Sequence, residues 1–239
     1  MFPLNWSDPR DKTDYVGYRE SGFFPEAFVN MLAMLGWNPG TTQEIFSLDE
    51  LVQAFSFERV NKSGAKFDPE KTKWFNQQYL RKKSDGELAE LFKPILEEKL
   101  KGMQDTRHKT QDFVEGVCRL VKEKSHFVNE FWDSGKYFFI SPEAYDAEVI
   151  KKRWNEQSAN FIKEVTAAFK NLNSFTAAET EAVFKATAEK SGIAAGQVMQ
   201  LFRVCISGVG GGPALFEIVE LLGKEEVVKR LETATEKIK

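Results

Sequence analysis

Arg203 is the only charged side chain between Ser191 and Pro213. A guanidinium set apart in this way has two readings: a buried structural partner, or a planar fork that offers bidentate hydrogen bonds to a ligand. One turn later the chain runs Ser207-Gly208-Val209-Gly210-Gly211-Gly212-Pro213, leading into a helix expected to start at Pro213. Glycines before a helix N-terminus can hold a phosphate on unpaired N–H groups. The nucleotide-binding form of that loop follows a strand and ends in Gly-Lys-Ser/Thr, whereas Gly196 to Ile206 reads as a helix, so ATP is not expected here. Two readings stay open: a helix–helix turn in which glycine permits positive φ, and a loop whose backbone approaches an extruded base or a phosphate.

A second chemical signal is charge segregation. Between Arg59 and Lys83 the cations Arg59, Lys62, Lys66, Lys71, Lys73, Arg81, Lys82 and Lys83 face only Asp68 and Glu70, a surplus of six in a chain of net charge −3. Trp74, Phe75 and Tyr79 are interleaved with them. The stretch is either a solvated helix face with an aromatic core stripe, or a phosphate-contacting surface that supplies affinity and position without base specificity.

Other chemistry is missing. Nucleophilic catalysis needs a Ser or Cys beside a base, and the histidines, His108 and His126, sit in charged surroundings that suit surface residues. Cys118 and Cys205 lie in apolar runs and read as buried free thiols of a reducing cytosol, too few for a zinc cluster or a disulfide framework. No catalytic and no metal-binding residue is therefore assigned. The net charge argues against a wholly basic nucleic-acid binder and leaves room for a local basic face. The chain carries 21 phenylalanines among its 239 residues and is 42% hydrophobic, which suits several compact cores. No apolar run approaches the ~20 residues of a membrane span and the N-terminus lacks a signal-peptide core, so a cytoplasmic protein is expected. Phe2, Pro3, Leu4 and Trp6 look like a segment that packs against something already folded, which makes Met1 an unexpected natural start.

The elements that must position these groups are mostly helices. Ser47 with Glu50 forms a capping box, with Phe46 as a staple onto Leu51, and predicts a helix from Leu48. Asp68-Pro69 and Ser141-Pro142 each pair a capping side chain with a proline at the first helical position. Ser84 with Glu87 and Thr176 with Glu179 have the same capping spacing. Pro25 to Leu35 carries a helical apolar stripe that stops at Gly36, followed by a turn at Trp37-Asn38-Pro39-Gly40. Glu143 to Asn171 is one long helix or a bent pair burying Val149, Trp154, Phe161, Ile162, Val165 and Phe169. Strand signals are limited to Tyr137–Ile140 and the first few residues. The fold class is mostly α, with division points near Ser84-Asp85-Gly86 and Ser141-Pro142.

Several blocks together resemble bacterial glutamyl-tRNA synthetase, a class I aminoacyl-tRNA synthetase. They are Tyr18-Arg19-Glu20-Ser21-Gly22-Phe23-Phe24-Pro25-Glu26-Ala27, Leu35-Gly36-Trp37-Asn38-Pro39-Gly40, Glu44-Ile45-Phe46-Ser47-Leu48, Arg59-Val60, Lys62-Ser63, Phe67-Asp68-Pro69-Glu70-Lys71 and Asn76-Gln77-Gln78-Tyr79. Near the end, Gly212-Pro213-Ala214-Leu215-Phe216-Glu217 and Leu221-Leu222-Gly223-Lys224-Glu225 resemble the family's closing segment. Neither a HIGH-type nor a KMSKS-type motif occurs, so the resemblance is to a C-terminal part that lacks the nucleotide-binding catalytic domain.

The resemblance implies serial helical domains: a stem-contact domain over 1–86, then an all-α anticodon-binding region with subdomains at 87–150 and 151–239. It implies tRNA(Glu) as partner, with Lys62, Lys66, Lys71 and Lys73 on the tRNA backbone and Trp74 and Phe75 as packing. It places anticodon recognition at Arg203, Gly212, Pro213 and Leu215, and at Lys124, which aligns with a family arginine that reads the third anticodon base in some members. Gly212 lacks the hydroxyl of the thermophilic pattern, so a contact there must come from backbone, and Lys124 lacks a planar fork. ATP and Mg²⁺ would serve the full enzyme and no cofactor belongs to this chain, which is expected to be monomeric and inactive alone. A helical protein-interaction module of a synthetase complex is the alternative.

Overall fold

The computed structural model describes residues 4–62, 64, 66–102 and 110–238, which leaves Ser63 and His108 outside the described residues. A two-residue hairpin comes first: β1 (Trp6–Ser7) pairs antiparallel with β2 (Asp14–Tyr15), and the rings of Trp6 and Tyr15 stack at 5.6 Å. The regular elements that follow are helical: α1 (Pro25–Gly36), α2 (Leu48–Ala54), α3 (Pro69–Lys82), α4 (Asp85–Lys99), α5 (Gln111–Val121), α6 (Phe131–Phe139), α7 (Ala147–Arg153), α8 (Glu156–Lys170), α9 (Ala177–Lys190), α10 (Ala195–Ser207), α11 (Leu215–Leu222) and α12 (Lys224–Lys237).

Local chemistry starts most of them where the sequence predicts. The Ser47 hydroxyl accepts from the Glu50 amide at 3.2 Å while the Glu50 carboxylate accepts from the Ser47 amide at 2.7 Å, so α2 begins with two orphan N–H groups satisfied. Ser84 and Glu87 repeat the box on α4, Asp68 caps α3, and Thr176 caps α9. Phe46 and Leu51 share one core cluster with Trp37, as a staple requires.

The segment from 137 to 156 differs from expectation. Tyr137–Phe139 is the end of α6 rather than a strand, because Gly135 lets this helix close on Val117 and Val121 of α5. Ser141 caps no helix, since its hydroxyl donates instead to the Glu226 carboxylate at 2.7 Å. The helix starts later, at Ala147, under a cap from Asp146 whose own amide donates to the Gly208 carbonyl at 2.9 Å. Asn155 then caps a separate α8, so the bent pair is found and not the single helix. Trp154, at the break, is only half-buried. Similarly, the helix expected from Pro213 begins at Leu215.

The chain divides into two compact units, Met1–Met103 with Lys122–Trp132, and Gln104–Val121 with Asp133–Lys239. The first is built on Phe75, Leu80, Leu88, Phe92 and Phe131, all essentially inaccessible. The second is built on rings: Phe184 lies 5.2 Å from Phe161, 4.9 Å from Phe202 and 5.5 Å from Phe216. Each such side chain contributes about 1.5–3 kcal/mol on burial. Cys118 and Cys205 are buried in the second unit, neither in a disulfide, and burial pushes the Cys205 thiol up to about 12. No described helix is long and apolar enough to cross a membrane.

Candidate nucleic-acid interface

In the first unit the cations lie on and around α3. Phe75 and Tyr79 face inward from this helix, which leaves Lys71 and Lys73 toward solvent. Lys71 pairs with Glu44, and Lys73 pairs with Glu70 at 2.8 Å, a bond that raises the Lys73 pKa. Farther along, Lys83 meets Glu26 at 2.9 Å and lies 4.7 Å over the Phe24 ring, and Arg81 meets Glu123 at 3.3 Å. Glu26, Glu44 and Glu123 all lie outside the basic stretch, so its surplus of six falls to three once they are included. Lys62 and Lys66 are exposed and make no ion pair among the described residues. Lys66 borders a small cavity of about 150 Å³ with Met31, Asp68 and Lys71.

Beneath this surface is a buried polar frame that the sequence did not reveal. The Asn30 carbonyl accepts from the Phe46 amide and the Tyr79 hydroxyl, each at 2.9 Å, and its amide donates to the Glu44 carbonyl at 3.0 Å. Asn76 accepts from the Phe24 amide at 2.8 Å and donates to the His126 carbonyl at 2.6 Å. Burial pushes the Tyr79 hydroxyl up to about 12. Asn76 and Tyr79, two residues of the family-like blocks, therefore hold the helix that carries the lysines. The signal that could have revealed them is a polar side chain at core spacing on an amphipathic helix.

Lys124 is also in the first unit, exposed in the turn after α5. Trp74 is half-buried and meets Phe75 edge-on at 5.1 Å. His126 is half-exposed with Nδ1 3.8 Å from Glu130. Among the described residues no group of three or more His, Cys, Asp or Glu side chains could hold a metal ion.

The second unit contains Arg203, Gly212, Pro213 and Leu215. Arg203 sits on α10, half-buried, and its guanidinium makes no hydrogen bond or ion pair among the described residues. Its Nη1 is fully covered and unpartnered. Burial lowers the Arg203 pKa, opposed by attraction to Tyr137. Gly212 has φ +149, and a side chain there would bring its first carbon to 3.1 Å from Arg203 Nη1 and 3.4 Å from the Tyr137 hydroxyl. The glycine run has two distinct positions of close approach. Gly208, at φ +79, ends α10 and passes so close to the Ala144 carbonyl that a Cβ would lie 2.8 Å from it, which is the turn reading. Gly212, half-buried, lies beside the lone guanidinium, where the ligand reading would place a contact. Pro213 is half-buried and Leu215 is buried in the core.

Tyr137 was missed by sequence reasoning. Its hydroxyl is buried without a partner and pushed up to about 12 by burial. Its carbonyl accepts from Arg230 Nη1 at 2.7 Å, and the same nitrogen donates to the Ile206 carbonyl at 3.0 Å. Arg230 Nε donates to Glu226 at 2.6 Å in a pair whose side chains are 2% and 6% exposed. Burial raises the Glu226 pKa, but bonds from Ser141 and Arg230 outweigh it and the net shift is downward.

Comparison with known proteins places the chain in a family. The family model described as "Anticodon binding domain" matches residues 87–235. The model for "tRNA synthetases class I (E and Q), catalytic domain" matches residues 10–74, so it extends into the stretch expected to be a separate stem-contact domain. The chain is 49% identical over 234 residues to the glutamate–tRNA ligase of Flavobacterium johnsoniae, covering 98% of this chain and 45% of that protein. For the ligase of Porphyromonas gingivalis the identity is 45% over 236 residues, covering 99% and 46%. A crystal structure of a glutamate tRNA ligase from Elizabethkingia meningosepticum in complex with its amino acid superposes with TM-score 0.90 at 37% identity, over 100% of this chain and 46% of that one. The chain spans about half the length of the curated relatives it matches.

Proposed function

The chain belongs to the anticodon-binding-domain family, and from that premise we propose that it is the part of a glutamate–tRNA ligase that docks tRNA(Glu) and reads its anticodon. The observation that supports this best is the half-buried guanidinium of Arg203, which has no acceptor among the described residues and lies beside a glycine turn. A guanidinium covered and left unpaired costs stability, and the cost is offset when a ligand supplies the acceptor. Unpaired bases of an RNA loop expose such acceptors on their edges.

The first 86 residues would lie on the tRNA stem, 87–150 and 151–239 on the anticodon arm. Lys62 and Lys66 meet phosphates with no carboxylate to displace. Lys71 and Lys73 exchange Glu44 and Glu70 for phosphate, a small cost at exposed sites. Lys124, Arg203, Gly212, Pro213 and Leu215 would contact the anticodon, with Gly212 and Leu215 acting through backbone. ATP and Mg²⁺ would be held by residues this chain does not carry, since neither a HIGH-type nor a KMSKS-type motif occurs in it. The protein would act in the cytoplasm as a monomer.

Titrating a tRNA(Glu) transcript into the 239-residue chain over a salt series tests the proposal. Expected is a linear loss of log affinity with log salt, with a slope of about 0.7–0.9 per phosphate neutralised. Failure to bind any tRNA would point instead to a protein-interaction module. Glutamate-dependent pyrophosphate exchange by this chain is expected to be nil.

A further inference from the structure

Resting on the tRNA-binding reading above, we propose that Tyr137 is a specificity-determining residue: its hydroxyl acts beside Arg203 to bind the carbonyl-bearing edge of an unpaired nucleobase at Gly212. Two polar atoms of the second unit converge on the same glycine, Arg203 Nη1 and the Tyr137 hydroxyl, and both are buried with no hydrogen-bond partner among the described residues. A buried donor left unpaired is a standing cost to the free protein, and two of them at one point mark a site that something else completes.

The chemistry of the pair selects the partner. Arg203 offers only donors, and the Tyr137 O–H can donate beside it, so together they match an edge with acceptor oxygen or ring nitrogen. A phosphate would satisfy the guanidinium equally well, but the tyrosine hydroxyl is enclosed beneath Gly212 rather than on a surface where a backbone passes. Gly212 marks where the two donors converge: with φ +149 and no Cβ, it keeps side-chain carbon out of a position 3.1 Å from Arg203 Nη1 and 3.4 Å from the Tyr137 hydroxyl.

Tyr137 is also held in place independently of the ligand. Its carbonyl is fixed by Arg230, which is itself fixed by Glu226 and by the Ile206 carbonyl of α10, the helix that carries Arg203. The backbones that carry the two donors are therefore tied to one buried frame.

Tyr137→Phe separates a reading role from a packing role. Removing an unpartnered buried hydroxyl should leave the melting temperature of the 239-residue chain unchanged or higher. Affinity for tRNA(Glu) should fall by about 3- to 10-fold, the worth of one hydrogen bond. Affinity for a non-cognate tRNA and the salt slope should stay as they are. In Arg203→Ala the same Tyr137→Phe change should add no further loss, because the two donors act on one edge. The proposal is overturned if wild type prefers tRNA(Glu) and Tyr137→Phe binds it equally well. It is also overturned if the variant weakens both tRNAs alike or lowers the melting temperature, since the hydroxyl would then serve the fold. A wild-type chain that binds no tRNA sinks the tRNA-binding reading itself.

Discussion

The two compact units treat their cations in opposite ways. In the first, Lys71, Lys73, Arg81 and Lys83 stand on the surface, each against a carboxylate that water can replace. In the second, Arg230 is buried and held by a carboxylate and two carbonyls, and Arg203 is half-buried and held by nothing among the described residues. Exposed pairs contribute little to stability and exchange partners easily, which suits groups that position a polyanion. A buried guanidinium is costly to move and directional, which suits groups that fix a fold or discriminate a ligand.

The sharpest way to break the contrast is Arg230→Ala. It strands Glu226 as a buried charge and removes the bonds to Tyr137 and Ile206, at a cost of about 3–5 kcal/mol. Denaturant unfolding followed by hydrogen exchange should show α10 and α12 opening early while α3 keeps its protection. Equal loss in both units would mean that they are one cooperative body.

High pH should separate the units next. The Cys205 thiol and the Tyr137 hydroxyl are pushed up to about 12 in the folded second unit. Once unfolded they ionise from their ordinary values of 9.0 and 10.0, so between those values and 12 the unfolded chain binds fewer protons. Stability of the second unit therefore falls as pH rises from 9. The first unit has Tyr79 as its counterpart and begins its loss only from 10. Reactivity of the buried thiols as a function of pH reads the first event, and exchange at α3 reads the second.

Within the second unit, neighbouring glycines provide a finer contrast. Gly212→Ala places a side chain at φ +149 against Arg203 and Tyr137, and backbone strain of this kind costs about 1–3 kcal/mol. Gly211→Ala meets nothing within 4 Å and has no positive φ, so it should be neutral or slightly stabilising. Paired melting curves decide this, and equal effects would contradict the turn geometry.

What the sequence disclosed follows the range of the interaction. Ser47, Asp68, Ser84 and Thr176 act on amides two or three residues away, so their helix starts were legible. Ser141 has the same local credentials but is taken by Glu226, 85 residues downstream, and Asp146 caps α7 in its place. Tyr137–Phe139 has a strand's composition, yet packing on α5 makes it helix. Arg203 and Gly212 were visible because a lone charge and a glycine run are odd in their own neighbourhoods. Tyr137 was not, since its meaning depends on residues 66 and 75 positions away that only the fold brings to it.

The smallest structural effect is expected for the surface lysines of the first unit, and there the contrast becomes functional. Lys62→Ala with Lys66→Ala removes two exposed side chains that have no ion pair among the described residues, so the melting temperature should not move measurably. Lys73→Ala removes only an exposed pair with Glu70, and should be equally silent. Binding should nevertheless respond: losing two phosphate contacts lowers the salt slope by about 1.4–1.8 and weakens cognate and non-cognate tRNA by the same factor. Arg203→Ala should do the reverse, weakening the cognate tRNA more and leaving the slope nearly intact. If the lysine variants discriminate between tRNAs, or the arginine variant does not, then the line between positioning and reading runs elsewhere than between these lysines and Arg203.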